Sequence, residues 1–170
     1  ERYIHVEQAQ VEASQLAVDK TYIPEGEKFS YNFNIKVTGK ADVENFVLED
    51  ILPEGISYLQ PLVGENEQFV PENVDRDRGV KLVVTTNSEK SVIKTVLIDG
   101  QKVSVKIPII PADTTIQIKI YVEGNLAEGE QEEKQVTNTA KIYAKNLDEI
   151  QLNSITHYIE YNENKHEEEK

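Results

Sequence analysis

Residues 136 to 144 read Val-Thr-Asn-Thr-Ala-Lys-Ile-Tyr-Ala, and their period of two decides how the chain is read. On a strand, Val136, Asn138, Ala140, Ile142 and Ala144 share one face, while Thr137, Thr139, Lys141 and Tyr143 share the other. The first face is the apolar one, so Asn138 is expected in the core. A buried carboxamide left without partners costs on the order of 1 to 3 kcal/mol, so dedicated partners are expected around it.

The same alternation recurs on both sides of this stretch. Phe29, Tyr31, Phe33, Ile35 and Val37 line one face of a strand over Lys28 to Thr38. Ile116, Ile118, Ile120 and Val122 do so in another, and Val103, Val105, Ile107 and Ile109 in a third. Between Asn45 and Leu52, parity groups Phe46, Leu48 and Asp50 against Val47, Glu49 and Ile51. Gln15 to Tyr22 reads as a strand with Leu16, Val18 and Lys20 on one side. Pro24-Glu25-Gly26-Glu27, Pro53-Glu54-Gly55, Asp99-Gly100 and Pro111 to Thr114 supply turns, with Asp99-Gly100 the hairpin signal. About ten short strands without a convincing long helix predict an all-β, antiparallel β-sandwich in a single domain. Residues 1–14 are expected to be a linker or lead-in strand, 15–161 the sandwich, and 162–170 an acidic linker or disordered tail.

Composition narrows the function. The 170 residues carry 31 acidic and 18 basic side chains, a formal charge of −13, which repels nucleic acid and anionic membrane. No Cys, Met or Trp is present, so disulfides and thiolate metal sites are excluded. No apolar run approaches a membrane span, and no signal peptide is recognisable. The start at Glu1 without an initiator Met suggests a fragment of a longer chain, with any anchor outside it.

Few other constellations suggest chemistry. Asn73, Asp75 and Asp77 place oxygens at alternate positions as a calcium loop does. They lack the downstream acidic ligand and alternate with Arg76 and Arg78, so a charged surface turn is expected, with no metal. His5, His157 and His166 show no zinc spacing and are expected on the surface. No nucleophile elbow or phosphate loop is present, so neither a cofactor nor a turnover enzyme is expected.

Four pieces in order carry a resemblance: Lys-Thr-Tyr-Ile-Pro-Glu-Gly-Glu (20–27), Phe-Ser-Tyr-Asn-Phe-Asn-Ile-Lys-Val-Thr (29–38), Asp-Ile-Leu-Pro-Glu-Gly-Ile-Ser-Tyr (50–58) and Val-Thr-Asn-Thr-Ala (136–140). Together they resemble the Ig-like repeat domains of Gram-positive surface proteins, pilins and collagen-adhesin-type stalks. Many members of that family join a buried Lys to a buried Asn by a spontaneous isopeptide bond assisted by a buried acid. The resemblance implies Lys20 and Asn138 as the crosslinked pair and Asp50 as the proton shuttle, in the collagen-adhesin A-type order. The bond would form as a neutral Lys20 amine attacked the Asn138 carboxamide and ammonia left, burial lowering the pKa of Lys20 and raising that of Asp50.

The resemblance also implies a stalk or spacer module at the cell wall or in a pilus. Its partners are then neighbouring domains of the same surface protein. The alternative is a ligand-binding adhesin domain that recognises host matrix protein or glycan through the loop over 60–79. A third option is an accessory domain of an enzyme.

Overall fold

The computed structural model describes residues 7–61 and 77–164, which form twelve strands. They are β1 (Val11–Gln15), β2 (Tyr22–Pro24), β3 (Lys28–Val37), β4 (Val43–Ile51), β5 (Ile56–Tyr58) and β6 (Val80–Thr85), followed by β7 (Thr95–Asp99), β8 (Lys102–Ile110), β9 (Thr115–Gly124), β10 (Lys134–Ala144), β11 (Leu147–Gln151) and β12 (Ile155–Glu160). One sheet has the order β1-β3-β9, with β5 and β6 both paired along the far side of β9. The other runs β2-β12-β10-β4-β8-β7, with β11 also on β10. All pairings are antiparallel except that of β12 with β2. The chain is an Ig-like antiparallel β-sandwich.

The alternating faces meet between the sheets. Tyr31, Phe33, Ile35 and Val37 from β3 and Ile116 to Val122 at every second position of β9 are buried from one side. Phe46 and Leu48, Val103 to Ile107 at every second position, and Val136, Ala140 and Ile142 are buried from the other. Burial of these faces is the main driving force, at roughly 25 cal/mol per Å² of apolar surface.

Two expectations need correction here. The strand expected over Gln15 to Tyr22 is absent: β1 ends at Gln15, and the chain crosses to the other sheet before β2 begins at Tyr22. Leu16 therefore lies largely exposed instead of facing the core. The alternation in β8 also breaks at its end, where Ile109 is 40% exposed and Ile110 is buried. Pro108, which has no N–H to give the ladder, lies opposite Asn45, whose φ is 54°, within a register set by Glu44↔Ile109 and Phe46↔Ile107. Both strands change face at that pair, since Val43 and Phe46 are buried on β4 as Ile107 and Ile110 are on β8.

The Asp99-Gly100 hairpin forms as expected. Gly100 takes φ 60°, and Asp99 pairs with Lys102 across a tight loop. Gly55 (φ 96°) closes the Leu-Pro-Glu-Gly turn, and its carbonyl accepts the Asn125 N–H at 2.7 Å.

The path of the chain has a direction. Ala9 bonds to Asn146, and Thr38 bonds to Gln10, at the pole that holds the β3–β4 and β10–β11 turns. Glu25 bonds to Glu160, and Gly26 to Gly124, at the opposite pole. The described chain thus enters at one pole and leaves at the other. Ten-residue strands such as β3 and β9 separate the poles by roughly 33 Å.

Candidate functional site: a buried acid and amide cluster

β10 and β4 are paired with Ala140 opposite Asp50, which puts Asn138 and Asp50 diagonally beside each other on the inward face. Both side chains are fully buried. Asn138 Nδ2 donates to Asp50 Oδ2 at 2.9 Å and, with its second hydrogen, to Gln15 Oε1 at 2.8 Å. Gln15 is the last residue of β1 on the facing sheet and is only 3% exposed.

The orientation of the three groups follows from their partners. Gln15 Nε2 donates to two carbonyl oxygens, those of Asn138 at 3.2 Å and Asn153 at 2.9 Å. Its Oε1 is then the end that meets Asn138, which must present its NH₂. The Asn153 side chain completes the tie by acting as a short piece of strand. It accepts the Gln15 backbone N–H at 2.9 Å and donates to the Gln15 carbonyl at 2.8 Å. The end of β1 is therefore stitched to the seven-stranded sheet by main chain and side chain together.

Two oxygens in the cluster meet no N–H: Asp50 Oδ1 and Asn138 Oδ1. A proton on Asp50 makes its carboxyl a donor, which is the chemistry the cluster otherwise lacks. Burial pushes the Asp50 pKa up to about 7, against the smaller lowering effect of its hydrogen bond from Asn138. At neutral pH and below, the acid form is thus well populated.

A second tie crosses the core nearby. Tyr31 on β3 and His157 on β12 share a hydrogen bond at 2.7 Å between the hydroxyl and Nε2. Phe29 packs edge-on against both rings. Burial, and then the Asp50 charge, raise the Tyr31 pKa, so the hydroxyl stays protonated beside a neutral imidazole. Burial also drives the His157 pKa down to about 4. The expectation of a surface His157 was wrong: its ring is fully buried. It sits opposite Val136 on β10, so its strand parity makes it inward, and Tyr31 makes it tolerable there.

Of the residues expected from sequence, Asp50 and Asn138 are brought together and Lys20 is not. Lys20 lies in the crossing between β1 and β2, its side chain 58% exposed and its Nζ 3.1 Å from Glu27. An amine in that position does not reach the Asn138 carboxamide. The place facing Asn138 belongs to Gln15, whose amide nitrogen is delocalised into its carbonyl and is no nucleophile. What the cluster can do as built is hold two sheets together by hydrogen bonds.

Gln15 escaped the sequence reading because the segment before it carries good helix formers, and the Lys-Thr motif that follows drew the strand too far along. The available signal was Val11, Ala13 and Gln15 at alternate positions. Asn73 and Asp75 lie outside the described residues, as do His5, His166 and most of the 60–79 loop. Asp77 is exposed.

With this geometry in view, the comparisons concern the fold. No protein-family model matches the chain, and no curated protein matches its sequence. Solved structures do match. The major pilin SpaD of Corynebacterium diphtheriae aligns over 88% of this chain and 35% of its own, at 15% identity and TM-score 0.54. The major pilin subunit BcpA of Bacillus cereus aligns over 88% of this chain and 40% of its own, at 11% identity and TM-score 0.52. The MSCRAMM ACE of Enterococcus faecalis, which binds its ligands by a collagen hug, aligns over 89% of this chain and 50% of its own, at 11% identity and TM-score 0.51. The chain thus shares its sandwich with pilins and adhesins of Gram-positive bacteria, and it spans half of their length or less.

Proposed function

We propose that this chain is a structural stalk or spacer module of a Gram-positive surface protein or pilus, closed by a noncovalent acid and amide clamp. The observation that carries it is the course of the chain, in at the pole of Ala9 and out at the pole of Glu160. A module in a load-bearing array must pass tension from one end to the other, and termini at opposite poles let it do so without turning. The clamp at Gln15 fastens the inner end of β1, the strand through which that tension enters the sandwich. The sandwich shared with two major pilins supports the same reading. Its partners are then neighbouring domains of the same protein, its location is extracellular, and it performs no turnover chemistry.

The isopeptide chemistry suggested by the resemblance is replaced in this proposal by hydrogen bonds, because Lys20 is held outside by Glu27. Pulling on a tandem array by its ends tests the stalk role. Repeated unfolding at forces well above those of a non-mechanical control domain supports it, and unfolding at control forces rejects it. The adhesin alternative finds support in the fold shared with ACE. Binding to a panel of host-matrix proteins or a glycan array, lost on shortening the 60–79 loop, would favour it over a spacer.

A further inference from the structure

The Asp50 carboxyl is fully buried, and no cation faces it among the described residues. Gln15 reaches toward it from β1 through Asn138, Tyr31 lies close enough on β3 for its charge to be felt, and its cross-strand neighbour on β8 is Val103. His157, bonded to Tyr31, stays neutral down to about pH 4. Lys20 is at the surface with Glu27.

We propose that Asp50 is a proton-controlled latch for β1: when it loses its proton, the first strand is released while the rest of the sandwich stays folded. As an acid, Asp50 has a hydrogen to donate. As a carboxylate it has none, and Asn138 Nδ2 is the single donor to it among the described residues. A buried charge so poorly paired costs several kcal/mol and is relieved by admitting water.

Where water enters is decided by the weakest wall. β4, which carries Asp50, is paired along both edges, with β10 and β8. β10 is likewise held on both sides. β1 has one strand partner, β3, over five residue pairs, and within it only Gln15 is fully buried. Lifting β1 removes Gln15 from Asn138 and opens the path to Asp50 at the lowest cost in buried apolar surface. Because burial raises the Asp50 pKa from its free value of 3.8 to about 7, lifting β1 becomes easier as pH rises across that window, and the change is complete near neutrality.

This inference rests on the clamp and not on the stalk role, so its failure would leave the proposed function standing. The test is amide hydrogen exchange between pH 5 and 8, corrected for intrinsic rates, in the wild-type protein and in Asp50→Asn. Protection of β1 should fall by about tenfold per pH unit as pH rises toward 7 in wild type and level off above pH 7, where Asp50 has lost its proton whether β1 is docked or not, while protection of β10 and β8 holds. In Asp50→Asn it should not change with pH. A flat β1 profile in wild type, an equal fall in Asp50→Asn, or a parallel fall in every strand would overturn the proposal. Carbon-13 shifts of the Asp50 carboxyl give a readout independent of the variant: a midpoint below pH 5 would overturn it as well.

Discussion

Asn138 Nδ2 donates to Gln15 Oε1 across 2.8 Å, joining opposite sheets through residues 123 apart in sequence. This bond occupies the position from which an amine would have to attack the Asn138 carboxamide. The wild-type protein should therefore have the intact mass of its plain sequence. Gln15→Lys supplies the missing nucleophile beside an acid whose protonated form is well populated at neutral pH. Its amine should form a C–N bond to Asn138 Cγ with release of ammonia, lowering the intact mass by one ammonia. A wild-type protein already lighter by one ammonia, with Lys20 and Asn138 in one crosslinked peptide, would refute the noncovalent clamp.

The clamp also has a stability signature. Gln15→Leu removes the donor to the carbonyls of Asn138 and Asn153 and leaves one Asn138 hydrogen unpaired in the core. An orphaned buried group costs about 1 to 3 kcal/mol, so the denaturant midpoint should fall with the slope unchanged. Asn138→Leu should be costly too, because it strips Asp50 of its donor. The two losses should not add in the double variant, since each breaks the same bond. Additive losses would mean that Gln15 and Asn138 are stabilised separately.

His157 sets the acid limit. Its pKa is lowered from 6.5 to about 4 by burial, so the folded protein binds this proton less readily than the unfolded chain. Its contribution is complete above pH 6.5 and is lost as pH falls through 4. Stability should thus decline by about 1.4 kcal/mol per pH unit across that window relative to His157→Phe. The variant leaves the Tyr31 hydroxyl unpaired, which lowers its stability by an amount that does not vary with pH. Parallel pH profiles for the two proteins would show that His157 is not the titrating group.

The core was legible because strand parity is a local property. Ile116 to Val122 and Tyr31 to Val37 alternate cleanly, and burial follows the alternation. Asn138 was legible for the same reason, whereas parity left the buried face of the Asp50 strand open and the resemblance singled out that acid. What sequence could not convey was the crossing between the sheets. Lys20 sits in a segment that leaves one sheet for the other, where parity means nothing, and a strand read through that crossing, together with the motif, placed it inside. Gln15 and His157 were missed through the opposite error. Polar residues on inward positions look unfavourable until their partners are known, and those partners lie 123 and 126 residues away.

The last prediction concerns force. Tension applied at the ends pulls β1 toward the pole of Ala9 and β12 toward the pole of Glu160, so both strands are loaded along their length. The five residue pairs of β1 with β3 and the Gln15 clamp bear the load on one side. If they yield, tension passes to β2, whose parallel pairing with β12 over Tyr22 to Pro24 is sheared in turn. With hydrogen bonds alone bridging these elements, as proposed, the whole sandwich should extend in wild type, at about 3.3 to 3.6 Å per released residue. Gln15→Leu should lower the unfolding force without shortening that extension. Crosslinked Gln15→Lys should shorten it by the stretch between residues 15 and 138. A wild-type trace already missing that stretch would show that a covalent tie is present and that hydrogen bonds do not carry the load.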